Sequence, residues 1–315
     1  MQIRCPKCRA SGFVQSHIGV IGLGSMGFGM AISALRAGHR IWGQDINHTA
    51  MERLQQEGGT AGISIEAAAA LDAVVIVVLN AAQMENVLFG PEAIVPRLRR
   101  GAVVLGCVTV APAFAQAMET RCAEHDVLYL DAPISGGSLK AANGCLTIMA
   151  SGKDAAFAAA RPVLDALAET VFELGASAGS ASAMKATNQL LAGVHIAVMA
   201  EALTFAATQG IDAATFLSVI QKCAGTSWML ENRAPHIVSG DYTPHSAIDI
   251  WPKDLGIVRE IAGSAGFEVQ ITTAALRQFA DASAMGLGRE DDAAVVKVYA
   301  RQAGVVLPGV EGERM

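Results

Sequence analysis

The sequence predicts a doubly wound α/β domain followed by an all-α domain, and three observations carry that expectation. Short β-branched runs alternate with helical stretches from His17 to about Phe172. A glycine-rich turn directly follows the first of those runs. Beyond Gly175 the strand signal stops and a proline-free helical stretch occupies residues 181–209. Alternating β and α segments at this spacing fold as a parallel sheet covered by helices on both faces.

Taken in order, the first strand is His17-Ile-Gly-Val-Ile21, and the second is Arg40-Ile-Trp-Gly-Gln44. Further strands are expected over 74–79, 102–105, 127–130 and 146–149. Several are apolar throughout, as strands buried on both faces must be. The first helix opens at the glycine turn and runs through Met30, Ile32 and Leu35 to a C-terminal cap at Gly38. In the second half, helices continue to Gly304, with breaks expected near Gly225, Pro235, Pro244, Pro252 and Gly286. Gly193 stays inside the long helix although it costs about 1 kcal/mol relative to alanine there. The domain boundaries follow: a tail over 1–15, the α/β domain over 16–178 and the helical domain over 179–315.

Composition narrows the function. Of 315 residues, 52% are hydrophobic and only 17% charged, with 32 glycines and 5% aromatics. That excludes disorder, which needs low hydrophobicity and high net charge. A net charge of −6 counts against nucleic acid as a partner, because phosphate neutralisation needs a basic surface. Mean hydropathy is +0.38. Even so, no uninterrupted apolar run of about 20 residues is found, so no membrane span is expected. The apolar stretch 190–205 is interrupted by His195 and Glu201. Residues 1–15 lack the apolar core of a signal peptide, and a cytoplasmic location is expected. The six cysteines, at 5, 8, 107, 122, 145 and 223, form no framework and read as reduced thiols. Cys5 and Cys8 make a lone CxxC without the second pair a structural zinc needs, so no metal is expected.

Gly22-Leu23-Gly24-Ser25-Met26-Gly27 is a GxGxxG turn between an apolar strand and a helix. The first glycine allows the tight turn, the second admits a pyrophosphate, and the third packs helix on strand. The second strand leads to Asp45-Ile46, with Asp45 twenty-three residues after Gly22. A carboxylate there accepts from ribose hydroxyls and repels a 2′-phosphate. This is a Rossmann-type dinucleotide site, with NAD favoured over NADP.

Lys185 is unusual among only seven lysines. It lies in the first turns of the long helix among small and apolar neighbours, with Asn188 and Gln189 on the same face at i+3 and i+4. A lysine near a helix N-terminus opposes the macrodipole. Local sequence leaves two readings open: a desolvated lysine with a depressed pKa suited to proton transfer, or one snorkelling off the surface.

Four motifs, in order and over nearly the whole chain from His17 to Tyr299, resemble the β-hydroxyacid dehydrogenase family, also called the 3-hydroxyisobutyrate dehydrogenase family. They are Val20-Ile-Gly-Leu-Gly-Ser-Met-Gly-Phe-Gly-Met30, the stretch from Asp131-Ala-Pro-Ile-Ser-Gly-Gly137 to Leu146, the segment Gly179 to Asn188, and Lys253-Asp-Leu-Gly256. Within the family, Asn80-Ala-Ala-Gln83, Asn188 to His195, Tyr242 to Asp249 and Arg289-Glu-Asp-Asp292 are most similar to the L-threonate dehydrogenase group. One departure is Gln189, where many members carry a second asparagine after Asn188. That puts simple 3-hydroxyisobutyrate specificity in question. Trp251-Pro252 ahead of Lys253 is another departure.

The resemblance implies NAD-dependent oxidation of a small hydroxy acid such as an aldonate, with Lys185 as general acid and base. It places the substrate carboxylate on Ser135, Gly136 and Gly137, whose consecutive N–H groups can form an anion nest. It implies that Asn188 and Gln189 face the substrate. Leu79, Asn80, Thr109 and Lys253 would approach the cofactor. A homo-oligomer, dimer or tetramer, assembled through the helical domain is expected. Oxidation of 3-hydroxyisobutyrate, reduction of tartronate or succinic semialdehyde, and a non-catalytic NAD-binding sensor or scaffold are the rival readings. His195 reads as a packing residue, and Glu290-Asp291-Asp292 as a solvated helix start.

Overall fold

The computed structural model describes residues 14–309, so the Cys5/Cys8 pair and most of the tail lie outside the described residues. Among the described residues there are nine strands: β1 (His17–Ile21), β2 (Arg40–Gln44), β3 (Thr60–Ala61), β4 (Ala73–Ile76), β5 (Val103–Gly106), β6 (Leu128–Asp131), β7 (Ile134–Ser135), β8 (Leu146–Ala150) and β9 (Ala168–Glu173). The first six form one all-parallel sheet in the order β3-β2-β1-β4-β5-β6. This is the strand order of a dinucleotide-binding Rossmann sheet, whose ligand site lies beyond the carboxyl ends at the point where the order reverses. Here that point lies between β1 and β4. The second sheet, β7-β8-β9, pairs β7 antiparallel and β9 parallel to β8.

All residues of β4 and β5 are buried, as the apolar runs required. One face of the sheet packs Ile18, Val75, Leu105 and Leu130 against Met30 and Leu164. The other packs Ile76 and Val104 against Met84, Leu88 and Met118. The expected strands at 74–79, 102–105 and 127–130 start or end one to three residues away from those found. β3, β7 and β9 were not anticipated.

The chain divides into two compact units after Lys185. The expected boundary at 178/179 lies at the start of the helix that this division cuts. That helix, Ser180–Thr208, is 29 residues long. Its length and hydropathy of 1.8 are enough to cross a membrane, which corrects the expectation that no such segment exists. His195 and Glu201 interrupt the apolar run without offsetting the alanine, leucine and valine around them. Some 44% of its most apolar stretch is buried inside the protein.

In the second unit, Ile196, Met199 and Leu203 of this helix share a core with Leu230, Ile237, Trp251, Leu255, Phe279 and Val295. The other helices there are Ala213–Ile220, Trp228–Ser239, Ile250–Ser264, Gln270–Ala284 and Val296–Ala303. Gly225, Pro244 and Gly286 do fall between helices. Pro235 and Pro252 do not. Pro252 is the third residue of its helix, where the missing N–H had no intrahelical acceptor. Pro235 is interior and forfeits one ladder bond, while buried Leu230, Ala234 and Ile237 hold the helix on either side.

Candidate active site

The glycine turn carries three glycines for three separate reasons. Gly22 has φ +95°, and a Cβ there would come within 2.2 Å of the Val77 carbonyl oxygen. A Cβ on Gly27 would lie 1.9 Å from the Gly22 oxygen, so helix and turn touch through bare backbone. A Cβ on Gly24 would meet nothing within 4 Å. The turn is therefore closed behind Gly22 and Gly27 and open in front of Gly24, as a pyrophosphate seat requires. The helix Ser25–Arg36 starts without a side-chain cap, which leaves its first N–H groups, including those of Ser25 and Met26, to an anion.

Asp45, immediately after β2, is turned back onto this loop. Its carboxylate accepts from the Leu23 N–H at 2.5 Å and from the Asn47 N–H at 2.7 Å. Leu23 buries its side chain in the core, whereas Ile46 is almost fully exposed. A cleft of about 350 Å³ opens beside Gly24 and Ser25, with Asn47, Thr49 and Arg53 on its far wall. The Arg53 guanidinium stacks over the Phe28 ring at 4.3 Å. Open glycine, uncapped helix and carboxylate together fit a dinucleotide.

Asn80 caps the helix Ala81–Phe89 by accepting from the Gln83 N–H, and Gln83 Oε1 accepts from the Leu79 N–H. This reciprocal pair fixes the turn after β4. Thr109 follows β5, beyond the same carboxyl edge of the sheet. After β7, Gly136 and Gly137 have φ of +135° and +77°. Both values fall in the region that favours glycine, and they turn the chain from Ser135 into the short helix Gly137–Ala142.

Lys185 is buried, at 8% exposure, one turn into the long helix. The start of that helix is held by Asp131 and Ser182, which stand in the sequence motifs without an assigned role there, and by Ser151 outside them. Asp131, the last residue of β6, is fully buried; its Oδ2 accepts from the N–H groups of Gly179 and Ser182, each at 2.9 Å. Its Oδ1 accepts from the Ser182 hydroxyl at 2.8 Å. The Ser151 hydroxyl donates to Asp131 at 3.4 Å and accepts from the Ala181 N–H at 3.0 Å. Burial raises the Asp131 pKa against the pull of these hydrogen bonds. Burial and the nearby Asp131 charge push the Cys107 thiol up to about 12, and the same causes raise the Tyr129 phenol.

The second unit holds a polar set of its own. Asn188 donates to Gln189 Oε1 at 2.9 Å, and Gln189 Nε2 donates to Asp254 Oδ2 at 2.5 Å. Lys253 Nζ reaches the other Asp254 oxygen, also at 2.5 Å. Asp254, 2% exposed, thus ties Gln189 to Lys253. It stands next to Lys253 in the sequence motif, and that adjacency was the one signal available for it.

The expected solvated start at 290–292 is corrected. Asp291 and Asp292 are fully buried. Asp292 receives Arg233 Nε at 2.5 Å and the Trp251 indole N–H at 3.0 Å. Asp291 pairs with His236 Nδ1 at 2.9 Å and accepts the His245 N–H at 2.8 Å. A run of acids resembles a solvated turn when its partners lie 41 to 59 residues away.

Residues 17–175 match the NAD binding domain of 6-phosphogluconate dehydrogenase, and residues 179–299 match the NAD-binding region of NADP-dependent 3-hydroxyisobutyrate dehydrogenase. The chain is 47% identical to L-threonate dehydrogenase of Escherichia coli K12, over 94% of this chain and 97% of that protein. It is 46% identical to L-threonate dehydrogenase of Cupriavidus necator, over 93% and 98% respectively. A crystal structure of 3-hydroxyisobutyrate dehydrogenase from Salmonella typhimurium superimposes with a TM-score of 0.86 at 45% identity, covering 90% of this chain and all of that one.

Proposed function

The chain belongs to the 3-hydroxyisobutyrate dehydrogenase family of NAD-dependent hydroxyacid dehydrogenases, and on that premise we propose that it oxidises an aldonate of the L-threonate type with Lys185 as the proton-transfer group. The observation that carries this reading is buried Lys185, one turn into the long helix, in a chain 47% identical to an L-threonate dehydrogenase over nearly its full length.

Bound NAD supplies the hydride acceptor. Neutral Lys185 takes the proton from the substrate hydroxyl as the carbonyl forms, and as the ammonium it returns that proton in the reverse reaction. The Ser135 hydroxyl and the N–H groups of Gly136 and Gly137 bind the substrate carboxylate, since successive N–H groups in this conformation make an anion nest. Asn188 and Gln189 orient the polyhydroxylated chain. Asp254 fixes the Gln189 amide and the Lys253 ammonium, so neither has to be ordered when substrate arrives. The cofactor domain ends at 178 and the helical domain begins at 179.

Met184, Leu191, Val198 and Phe205 recur every seven residues along one exposed face of the long helix. An exposed apolar stripe of this kind supports a homo-oligomer assembled through that helix. A cytoplasmic location accords with the soluble dehydrogenases it resembles.

The test is NADH formation by the purified protein with L-threonate, 3-hydroxyisobutyrate and other short hydroxy acids. L-Threonate is expected to give the highest kcat/KM. Turnover of 3-hydroxyisobutyrate with none on any aldonate overturns the assignment.

A further inference from the structure

The Asp131 carboxylate, at the end of a rigid parallel strand, takes hydrogen bonds from three groups at the start of the long helix: the Gly179 and Ser182 N–H groups and the Ser182 hydroxyl. Ser151, bridged to Asp131 through both backbone hydrogen bonds, accepts from the Ala181 N–H. First-turn N–H groups of a helix have no intrahelical acceptor, and a local side chain usually caps them. Here the cap comes from the sheet, 48 to 51 residues earlier in the chain. Gly179 itself has φ +107°, and a Cβ on it would come within 2.9 Å of Gln116 Nε2. The chain thus enters the helix along one fixed path. Lys185 is three residues beyond Ser182, an axial rise of about 4.5 Å.

We infer that Asp131 is a positioning residue for Lys185: by capping the helix from the end of β6, it ties the height and rotation of the proton-transfer lysine to the sheet that carries the cofactor turn. This rests on the reading of Lys185 as the proton-transfer group. The physical argument is one of stiffness. Charge-assisted hydrogen bonds to a buried carboxylate are roughly twice as strong as neutral ones. Ser182 is held twice, through its N–H and its hydroxyl. A helix end fastened this way cannot slide along its axis or rotate without leaving buried donors unpaired. Cys107 and Tyr129, titratable groups near Asp131, are held neutral by burial and add no second negative charge beside it.

Asp131→Asn keeps the size of the side chain but removes its charge and one acceptor oxygen, so the Ser182 hydroxyl loses its acceptor and the Gly179 and Ser182 N–H groups keep only a neutral, weaker one. The expected result is a fall in kcat of about tenfold to a hundredfold, the scale of a misplacement near 1 Å. The NADH dissociation constant and the KM for NAD should stay within about twofold. The deuterium isotope effect on kcat, with substrate labelled at the oxidised carbon, should rise because proton and hydride transfer now limit turnover. A purely structural role lowers the fraction folded and leaves the isotope effect where it was. Should Asp131→Asn fail to fold, Ser182→Ala removes only the hydroxyl bond and should show the same pattern in weaker form. Unchanged kcat and isotope effect in a folded, NADH-binding variant overturns the proposal. Lys185→Ala separates the two ideas: if it is inactive while Asp131→Asn behaves as wild type, only the positioning role falls. If Lys185→Ala turns over normally, the underlying reading of the lysine falls first.

Discussion

Gly193 lies against the indole of Trp251: a Cβ on it would stand 2.9 Å from Cε3 of the ring and 2.8 Å from Leu255 Cδ2. Trp251 cannot yield, since its N–H is bonded to Asp292 and its ring stacks on Phe279 at a centroid distance of 5.5 Å. The glycine that costs about 1 kcal/mol in helix propensity is what lets two helices of this unit meet. Gly193→Ala should therefore destabilise, because overpacking costs typically about 1–3 kcal/mol and exceeds the propensity gain. A denaturant midpoint at or above that of the wild type would contradict this packing argument.

Lys185→Ala should abolish turnover, with a loss in kcat on the order of 10²–10⁴-fold, the range for a positioned general base. NADH binding, followed by its fluorescence, should be nearly unchanged, because the glycine turn and Asp45 are untouched. Near wild-type kcat in the variant would remove the lysine from the mechanism.

Asp45→Ser should weaken NAD use and relax discrimination against NADP. The carboxylate that repels a 2′-phosphate is gone. The Leu23 N–H also loses a 2.5 Å acceptor, so the turn itself loosens. The ratio of kcat/KM for the two cofactors reads the effect. A wild-type enzyme already preferring NADP would refute the ribose assignment.

Burial lowers the His39 pKa below its ordinary value of 6.5, against the opposing effects of the Pro162 backbone and Asp72. Its Nδ1 accepts the Ser16 N–H next to β1. The unfolded chain then binds the proton more readily than the folded one, so stability rises with pH across this window. As pH falls below about 6.5, the usual value for histidine, the wild type should lose stability until the folded-state pKa is passed. His39→Gln should flatten that part of the profile in melting curves taken across it. Parallel profiles for the two proteins would show that His39 is not the group responsible.

What the sequence made legible was local. β1 and β2 are found with the expected bounds, β1 as a β-branched run and β2 as a strand that alternates exposed and buried residues around Ile41 and Gly43. The long helix is found within one residue of expectation at each end, since no proline interrupts it. Two-residue strands such as β3 and β7 carry no period to read, and their neighbours in space impose them. β9 alternates too little burial to stand out. At the site, Gly22, Gly24, Gly27 and Asp45 could be read because turn, helix and acid follow one another along the chain. Asp131 with Ser182, separated by 51 residues, and Gln189 with Asp254, separated by 65, could not. A buried carboxylate has no short-range signature when its donors come from a different element.

One edge of the second sheet bears on handling the protein at high concentration. Among the described residues β9 pairs with β8 alone, so its outer row of N–H and C=O groups is a template on which another chain's strand could extend the sheet. Phe172, half exposed on that strand, would favour such growth. Glu173 and Glu169, the latter 3.8 Å from Lys140 Nζ, stand exposed on the same strand and place like charges opposite each other in an in-register parallel or symmetric antiparallel edge-to-edge pair of copies. The two glutamates act as gatekeepers against fibril-like association, a protection that weakens in acid, where they are neutralised, and in high salt, where their repulsion is screened.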